Sequence, residues 1–187
     1  MSSLILDIVA NLKQGNTILY PTDTIWGIGC DATNSDACKK IISIKQRAPN
    51  KSMLILVDSI SMLERYVAYI PDAAYSLIEV CETPLTIIYP KAKNIAKELI
   101  AEDGSIGIRI CKTQFCQKLL YAFKKPIVST SANLSGEKAP TNFSQINTIV
   151  KNNVDYIVSN VPNEQQQNTA SEIIKFYADN SFSIIRH

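Results

Sequence analysis

Three short polar stretches of this 187-residue chain carry the side chains best suited to chemistry. The first, YPTDTIWGIGCDA (20–32), places two threonine hydroxyls and an aspartate directly after a short apolar run. The second, KQRAPNK (45–51), brings three cations to the end of a predicted helix, and the third, STSANLSG (129–136), offers hydroxyls and an amide after another apolar run. Because α/β folds place their sites at the ends of strands, we expect these stretches to form the site.

Each stretch also has an ordinary structural explanation. Lysine and arginine favour a helix C-terminus because of its dipole, and Ser/Asn/Gly loops and PTDT are typical of turns and caps. Taken together, however, the cations could neutralise a triphosphate of about four negative charges, while hydroxyls and loop amides donate to its oxygens. The chain contains neither GxxxxGK[ST] nor GxGxxG, so a nucleotide would need a different kind of site from a P-loop or a Rossmann motif.

The composition limits the class of protein. An apolar content of 46% with 19% charged residues is that of an ordinary globular domain, and a net charge of +2 predicts no strong affinity for nucleic acid from the total alone. The single histidine, His187, argues against chemistry that needs a histidine base, and five scattered cysteines fit reduced thiols. The start of the chain lacks the features of a signal peptide, and no run approaches a membrane span. We therefore expect a cytoplasmic protein.

The periodicity of apolar residues predicts alternating helices and strands around these stretches. Helices are predicted over 4–13, 36–46 (capped by Ser35), 61–69, 72–81, 114–123 and near 143–150, with a helical stretch at 95–99. Strands are predicted over 17–20, 52–57, 85–89, 105–110 and 127–130, near 156–158, and over 171–176 and 182–186. No linker or repeat interrupts the pattern. The expected architecture is a single α/β domain over 1–187, with helices flanking a twisted sheet of mixed parallel and antiparallel strands.

The order of these motifs resembles the YrdC family, in particular its short single-domain bacterial (TsaC) type. The resemblance rests on YPTDTIWGIGCDA, KQR with a lysine four residues after the arginine, PLTII, SIGIRI, STSANLSGEKAPT, and a final motif of SEII followed by IIRH. It spans nearly the whole chain. Six motifs in order are a specific signal, whereas one alone would be weak.

The resemblance implies an activity. Family members combine L-threonine, bicarbonate or CO2, and ATP into threonylcarbamoyl-AMP, with release of pyrophosphate. The product serves the threonylcarbamoyladenosine modification of tRNAs that read ANN codons, and partner proteins carry out the transfer. The resemblance also implies a concave basic cleft, Mg²⁺ accompanying the ATP, and binding of tRNA or double-stranded RNA.

The resemblance assigns roles to individual residues. The predicted threonine-binding residues are Thr22, Thr24, Arg109, Ser131 and Ser171, with Thr22 added because it lies two residues before Thr24 in an extended segment. The predicted ATP-binding residues are Arg47, Lys51, Ser105, Asn133, Thr141 and Arg186, and the predicted catalytic residues are Lys45 and Arg47. No residue is predicted to bind a metal directly. Asp23 is left open as a metal neighbour or a turn residue.

The chemistry is consistent with these roles. The guanidinium of Arg109 can hold a carboxylate by two hydrogen bonds, and the hydroxyls can pair with the side chain of threonine. A buried polar group left unpaired costs roughly 1–3 kcal/mol, which would favour threonine over valine. Carbamate formation and attack on the α-phosphorus need positioning and charge neutralisation more than a protein base.

Some positions depart from the family pattern, and two other functions remain open. Leu56 stands where longer relatives have histidine, Ala48 precedes Pro49 where the usual motif is KxRP, and Glu172 stands where the usual motif has threonine. One alternative is a non-catalytic module of the same fold that binds double-stranded RNA or tRNA, or acts in ribosome maturation. The other is an unrelated ATP-dependent ligase.

Overall fold

A nine-stranded mixed sheet organises the chain in a computed structural model that describes residues 2–46, 53–159, 161 and 170–187. Its strands are β1 (Ile18–Tyr20), β2 (Gly27–Gly29), β3 (Leu54–Val57), β4 (Leu85–Tyr89), β5 (Ile106–Ile110), β6 (Ile127–Ser131), β7 (Tyr156–Ile157), β8 (Glu172–Phe176) and β9 (Phe182–Arg186). They are arranged in the order β7-β1-β2-β6-β3-β5-β4-β8-β9. The pairs β1–β7, β3–β5 and β4–β8 are parallel and the others antiparallel. The predicted single α/β domain with a mixed sheet is therefore confirmed.

Six α-helices pack around this sheet in the described part of the chain. They are α1 (Ser3–Lys13), α2 (Ser35–Ile44), α3 (Ile60–Leu63), α4 (Asp72–Val80), α5 (Gln114–Phe123) and α6 (Thr148–Asn153), and short 3-10 turns cover Lys97–Leu99 and Phe143–Gln145. The amphipathic pattern explains α1, since Ile5, Ile8, Val9 and Leu12 are its buried residues at helical spacing. Just beyond its end, Gly15 adopts a left-handed backbone (φ +80°) that suits glycine.

The structure corrects three predictions. Residues 27–29 form a strand that the sequence did not suggest, because GIG has little β propensity. The helix predicted over 61–69 ends at Leu63, since the backbone at 66–68 instead hydrogen-bonds to residues 91–93. The side chain of Asn34, not Ser35, caps α2 by accepting hydrogen bonds from the N–H groups of Asp36 and Ala37.

The two faces of the sheet are covered differently. On one face, a large apolar core includes Ile28, Ile55, Ile87 and Ile108 and residues of α2, α3, α4 and α6. On the other face, α1 and α5 pack against Ile18, Tyr20, Leu56 and Ile127. Leu56 is one of the fully buried residues of this second core. Beyond these two helices, the second face carries polar side chains.

One row of paired residues crosses the polar part of the second face. Arg109 on β5 pairs with Thr86 on β4, Thr86 with Ile173 on β8, and Ile173 with Arg186 on β9. Directly paired residues direct their side chains to the same face, so this register places Arg109, Thr86 and Arg186 together. Glu172 pairs with Leu85, whose side chain packs on the opposite core, so its carboxylate belongs to the other face.

A bulge in β9 determines the side on which Arg186 lies. Ile174 pairs with Ile184 and Ile173 pairs with Arg186, so Ile185 is one extra residue in β9. In an unbroken strand, Arg186 would share the face of Ile184, because side chains alternate with period two. The extra residue moves the arginine to the face of Arg109, as bulges beside functional sites often do.

Two further observations concern the cysteines and the length of the helices. All five cysteines lie in the described ranges and carry free thiols, with the Cys30 and Cys38 sulfurs 3.9 Å apart. Within the described ranges, no helix is both long and apolar enough to cross a membrane.

Candidate functional site

An open cleft lies on the polar part of the sheet face, beside the region covered by α1 and α5. Its cavity volume is about 260 Å³, which is just below the roughly 300–1,000 Å³ of sites that bind small molecules. It brings together six predicted site residues from five separate parts of the sequence. These are Thr22, Thr24, Arg109, Ser131, Ser171 and Arg186.

Arg109 and Asp23 form a buried ion pair at this cleft. Nη2 of Arg109 lies 2.9 Å from Oδ1 of Asp23, and the two side chains are 3% and 7% exposed. The two atoms are close without the alignment of a hydrogen bond, so Oδ1 of Asp23 has no hydrogen-bond partner among the described residues. Nε of Arg109 has none there either. The pair therefore retains an unused donor and an unused acceptor.

The two threonines of PTDT form a hydrogen-bonded chain with Arg109. Nη2 of Arg109 donates to Oγ1 of Thr24 (3.3 Å), which lies 3.0 Å from Oγ1 of Thr22. Thr22 donates its own hydroxyl hydrogen to the carbonyl of Ile25 (2.8 Å) and accepts from the N–H of Thr24 (3.2 Å). Thr24 must then be the donor to Thr22. This leaves Thr24 one free lone pair toward the cleft, whereas the hydroxyl of Thr22 is fully used.

Arg186 and Ser171 form the opposite wall of the cleft. Nε and Nη2 of Arg186 donate to the carbonyl oxygen of Ser171 at 2.9 and 2.7 Å. The hydroxyl of Ser171 lies 2.7 Å from that of Thr86, and both residues are buried. Among the described residues no carboxylate forms an ion pair with Arg186.

The electrostatics of the cleft favour an anion. Burial, and next the positive charge of Arg109, lower the pKa of the Arg186 guanidinium from its usual value. The two guanidinium groups therefore repel each other across the cleft, and the carboxylate of Asp23 contacts only one of them. A ligand with negative charge would relieve this repulsion.

Lys45 connects the end of α2 to the loop after β6. Its side chain is buried, and its ammonium group donates to the carbonyl oxygens of Ser131 and Asn133, the latter at 2.7 Å, and to Oδ1 of Asn133. Oγ of Ser131 in turn donates to the same amide oxygen at 2.5 Å. Two of the three polar stretches are thus joined through Lys45, which is not one of the residues that line the cleft.

The remaining predicted residues lie elsewhere. Ser105 stands just before β5 and donates its hydroxyl to Asp103 (2.5 Å), and Thr141 is exposed and donates to Gln145. Neither lines the cleft, and neither does Asn133. Arg47 and Lys51, the predicted phosphate contacts, lie outside the described residues.

Four further residues belong to the site that sequence reasoning did not assign. Asp23 is the ion-pair partner of Arg109, and Thr86 holds the hydroxyl of Ser171. Trp26 and Gly27 line the cleft, and a Cβ added at Gly27 would lie 3.3 Å from Oγ of Ser129. The sequence signal that could have identified these residues is their position within the motifs, since Thr86 lies in PLTII and the other three lie in YPTDTIWG.

The described residues do not form a metal site of their own. No group of three histidine, cysteine, aspartate or glutamate side chains within them could hold a metal ion. Asp23 is already paired with Arg109. If Mg²⁺ accompanies ATP, the phosphate oxygens would have to supply most of its ligands.

Comparison with known proteins gives a consistent family. The Sua5_yciO_yrdC family model, described as telomere recombination, matches residues 10–187. A threonylcarbamoyl-AMP synthase of Psychromonas ingrahamii is 35% identical over 79% of this chain and 78% of its own length. One from Pseudoalteromonas translucida is 33% identical over 83% of this chain and 85% of its own.

A solved structure shares the fold. The crystal structure of P. abyssi Sua5 complexed with L-threonine superposes with a TM-score of 0.81 at 23% identity. The match covers 92% of this chain but only 50% of that one, so the present chain spans about half the length of the Sua5 protein.

Proposed function

Because the chain belongs to the Sua5/YciO/YrdC family, we propose that this enzyme makes threonylcarbamoyl-AMP and pyrophosphate from L-threonine, bicarbonate or CO2, and ATP. The observation that carries the proposal is the cleft in which Arg109, two threonine hydroxyls and a second arginine meet on one face of the sheet. The reaction would make the enzyme a nucleotidyltransferase. Its product would serve the threonylcarbamoyladenosine modification of tRNAs that read ANN codons.

Arg109 and Thr24 are proposed to hold the amino acid. The carboxylate of threonine would bind the guanidinium of Arg109, which lines the cleft and whose Nε has no hydrogen-bond partner among the described residues. The threonine side chain would donate its hydroxyl to the free lone pair of Thr24. Thr22 would orient Thr24 rather than contact the ligand, because its hydroxyl is already saturated. Ser131 and Ser171 line the same cleft and would complete the amino-acid site.

Arg186 is proposed to bind the phosphates of ATP. Its guanidinium lies at the cleft and is held by the carbonyl of Ser171. Five other roles in nucleotide binding stay predictions, namely those of Arg47, Lys51, Ser105, Asn133 and Thr141. The role of Arg47 in catalysis also stays a prediction. For Lys45, the contacts with the loop after β6 favour positioning of that loop over direct chemistry.

The reaction itself requires positioning and charge neutralisation. The amine of threonine forms a carbamate with CO2, and a carbamate oxygen then attacks the α-phosphorus. The bond from the α-phosphorus to the bridging oxygen breaks, and pyrophosphate leaves with that oxygen. Arginines that bind the carboxylate at one end and the phosphates at the other would align these atoms.

The proposal is tested by incubating the purified protein with ATP, bicarbonate and labelled L-threonine. We expect release of pyrophosphate that depends on both threonine and bicarbonate, with transfer of label to an AMP adduct. Absence of threonine-dependent release would reject the proposed function. A non-catalytic RNA-binding module would not need the buried arginine and hydroxyl groups of this cleft.

Several finer predictions are not needed for this assay. A single domain over the whole of 1–187 is supported by a family match that runs from residue 10 to residue 187. The following stay predictions: a concave basic cleft, binding of tRNA or double-stranded RNA, partner proteins that transfer the threonylcarbamoyl group, Mg²⁺ with ATP, and a cytoplasmic location.

A further inference from the structure

Asp23 is buried beside the cleft but does not line it. Thr22, Thr24 and Arg109 line the cleft, whereas Asp23 is not among its lining residues and its carboxylate contacts Arg109. A direct contact between Asp23 and a ligand is therefore not what the geometry favours. Asp23 can instead act through the guanidinium group of Arg109, which it contacts.

Stability does not account for this ion pair. Replacing a buried ion pair by apolar residues is often neutral or stabilising, because desolvation offsets the attraction between the charges. Here the contact also lacks hydrogen-bond alignment and leaves Oδ1 of Asp23 and Nε of Arg109 unsatisfied among the described residues. A pair built for stability would satisfy these atoms.

The arrangement does account for a guanidinium held in one orientation. Asp23 and Thr24 both engage Nη2 of Arg109, from the carboxylate at 2.9 Å and the hydroxyl at 3.3 Å. An arginine side chain has several rotatable bonds, and fixing it before the ligand arrives lowers the cost of binding. We propose that Asp23 is a positioning residue that fixes the guanidinium of Arg109 in the orientation that binds the carboxylate of the amino-acid substrate.

The inference rests on the proposed function for the identity of that substrate. It adds a specific consequence, which is that Asp23 affects the amino acid and not the nucleotide. Asp23→Asn keeps the size of the side chain and removes the charge. We expect it to raise the KM for L-threonine at least about tenfold, as loss of a charge-assisted contact does, and to change the KM for ATP less than about twofold.

Asp31→Asn is a matched control. Asp31 is also buried, with a side chain 7% exposed, and it forms an ion pair with Lys125 at 2.7 Å. It does not line the cleft, and its ion-pair partner is not Arg109. Both variants remove one equally buried, ion-paired carboxylate. We expect Asp31→Asn to lower the melting temperature and leave both KM values unchanged.

Titration calorimetry with L-threonine alone separates this inference from the proposed function. Weaker binding to Asp23→Asn, with wild-type binding to Asp31→Asn, would support the positioning role even if no pyrophosphate were released. Wild-type affinity in Asp23→Asn, or equal increases in the KM values for threonine and ATP, would overturn it. If Asp23→Asn does not fold, Asp23→Glu keeps the charge and displaces it by one methylene. A threonine KM unchanged in that variant would also count against the inference.

Discussion

Arg109 and Arg186 lie in one row of paired residues across the sheet, separated only by Thr86 and Ile173. Three strand spacings put their backbones roughly 14 Å apart. Their long side chains reach toward the same cleft from opposite sides, and burial, and next the charge of Arg109, lower the pKa of Arg186. A ligand with a carboxylate at one end and a phosphate at the other fits this spacing of charges better than a single anion does.

The bulge at Ile185 gives the first prediction. Deleting Ile185 should remove the bulge and place Arg186 directly after Ile184, so that Arg186 still pairs with Ile173 and stays on the face of Arg109. We expect the deletion variant to keep its KM for ATP within about twofold of the wild type, whereas Arg186→Ala should raise it at least about tenfold, because only the second variant loses the charge-assisted contact. Ile185→Ala keeps the register and serves as the control. Equal increases in the KM for ATP in the deletion variant and in Arg186→Ala would show that strand alternation does not determine the side on which this arginine lies.

The two glycines of β2 give a contrasting pair of variants. A Cβ at Gly29 would lie 2.5 Å from the carbonyl oxygen of Val128 and 2.7 Å from Cε1 of Tyr20, so Gly29→Ala should destabilise the fold by several kcal/mol. At Gly27, which lines the cleft, the contact would be 3.3 Å from Oγ of Ser129. We expect Gly27→Ala to fold with a melting temperature near that of the wild type and to bind substrate more weakly. Thermal unfolding and steady-state kinetics on both variants test this, and similar losses of stability would contradict it.

These residues also show how far the sequence can predict the molecule. The helical spacing of Ile5, Ile8, Val9 and Leu12 and the uniformly apolar β3 specify their elements locally, and the sequence predicts both. β2 was missed because its reason is tertiary, namely the close approach of Val128 and Tyr20 to Gly29. The same holds for the site, where the motifs identify Arg109 and Thr24 but the pairing of Asp23 with Arg109 and of Thr86 with Ser171 depends on strand register. These contacts join residues 86 and 85 positions apart in the sequence, so they leave no local pattern.

Asp103 provides a prediction for pH dependence away from the cleft. Hydrogen bonds from Lys175 and then Ser105 lower its pKa from 3.8 to about 2. A carboxyl whose pKa is lower in the folded state stabilises the fold above its unfolded pKa and loses this effect as the pH falls through its folded pKa. Its side chain is 48% exposed, so solvent screening limits the contribution to about 1 kcal/mol or less. We expect Asp103→Asn to lower the free energy of unfolding at pH 7, with a difference from wild type that shrinks between about pH 4 and pH 2. Urea unfolding at several pH values measures this, and a difference that grows toward low pH would contradict it.

Variants of Lys45 distinguish a role in positioning the loop after β6 from a direct role in the chemistry. Its buried ammonium donates to the carbonyls of Ser131 and Asn133, so Lys45→Met should leave these oxygens without that donor at a cost of roughly 1–3 kcal/mol. Lys40 on the same helix forms an ion pair with Asp155 and is 44% exposed, so Lys40→Met should cost no more than about 1 kcal/mol.

The kinetics of the Lys45 variant decide between the two roles. If Lys45 positions the loop after β6, its loss should raise the KM values for threonine and ATP together, because Ser131 and Asn133 both move, and residual turnover should persist at saturating substrate. A group that acts directly on the phosphates would instead lower kcat by orders of magnitude with the melting temperature unchanged. We expect the first pattern, since the ammonium group donates to the backbone carbonyls of Ser131 and Asn133 and to the amide oxygen of Asn133, and so holds these two residues in place.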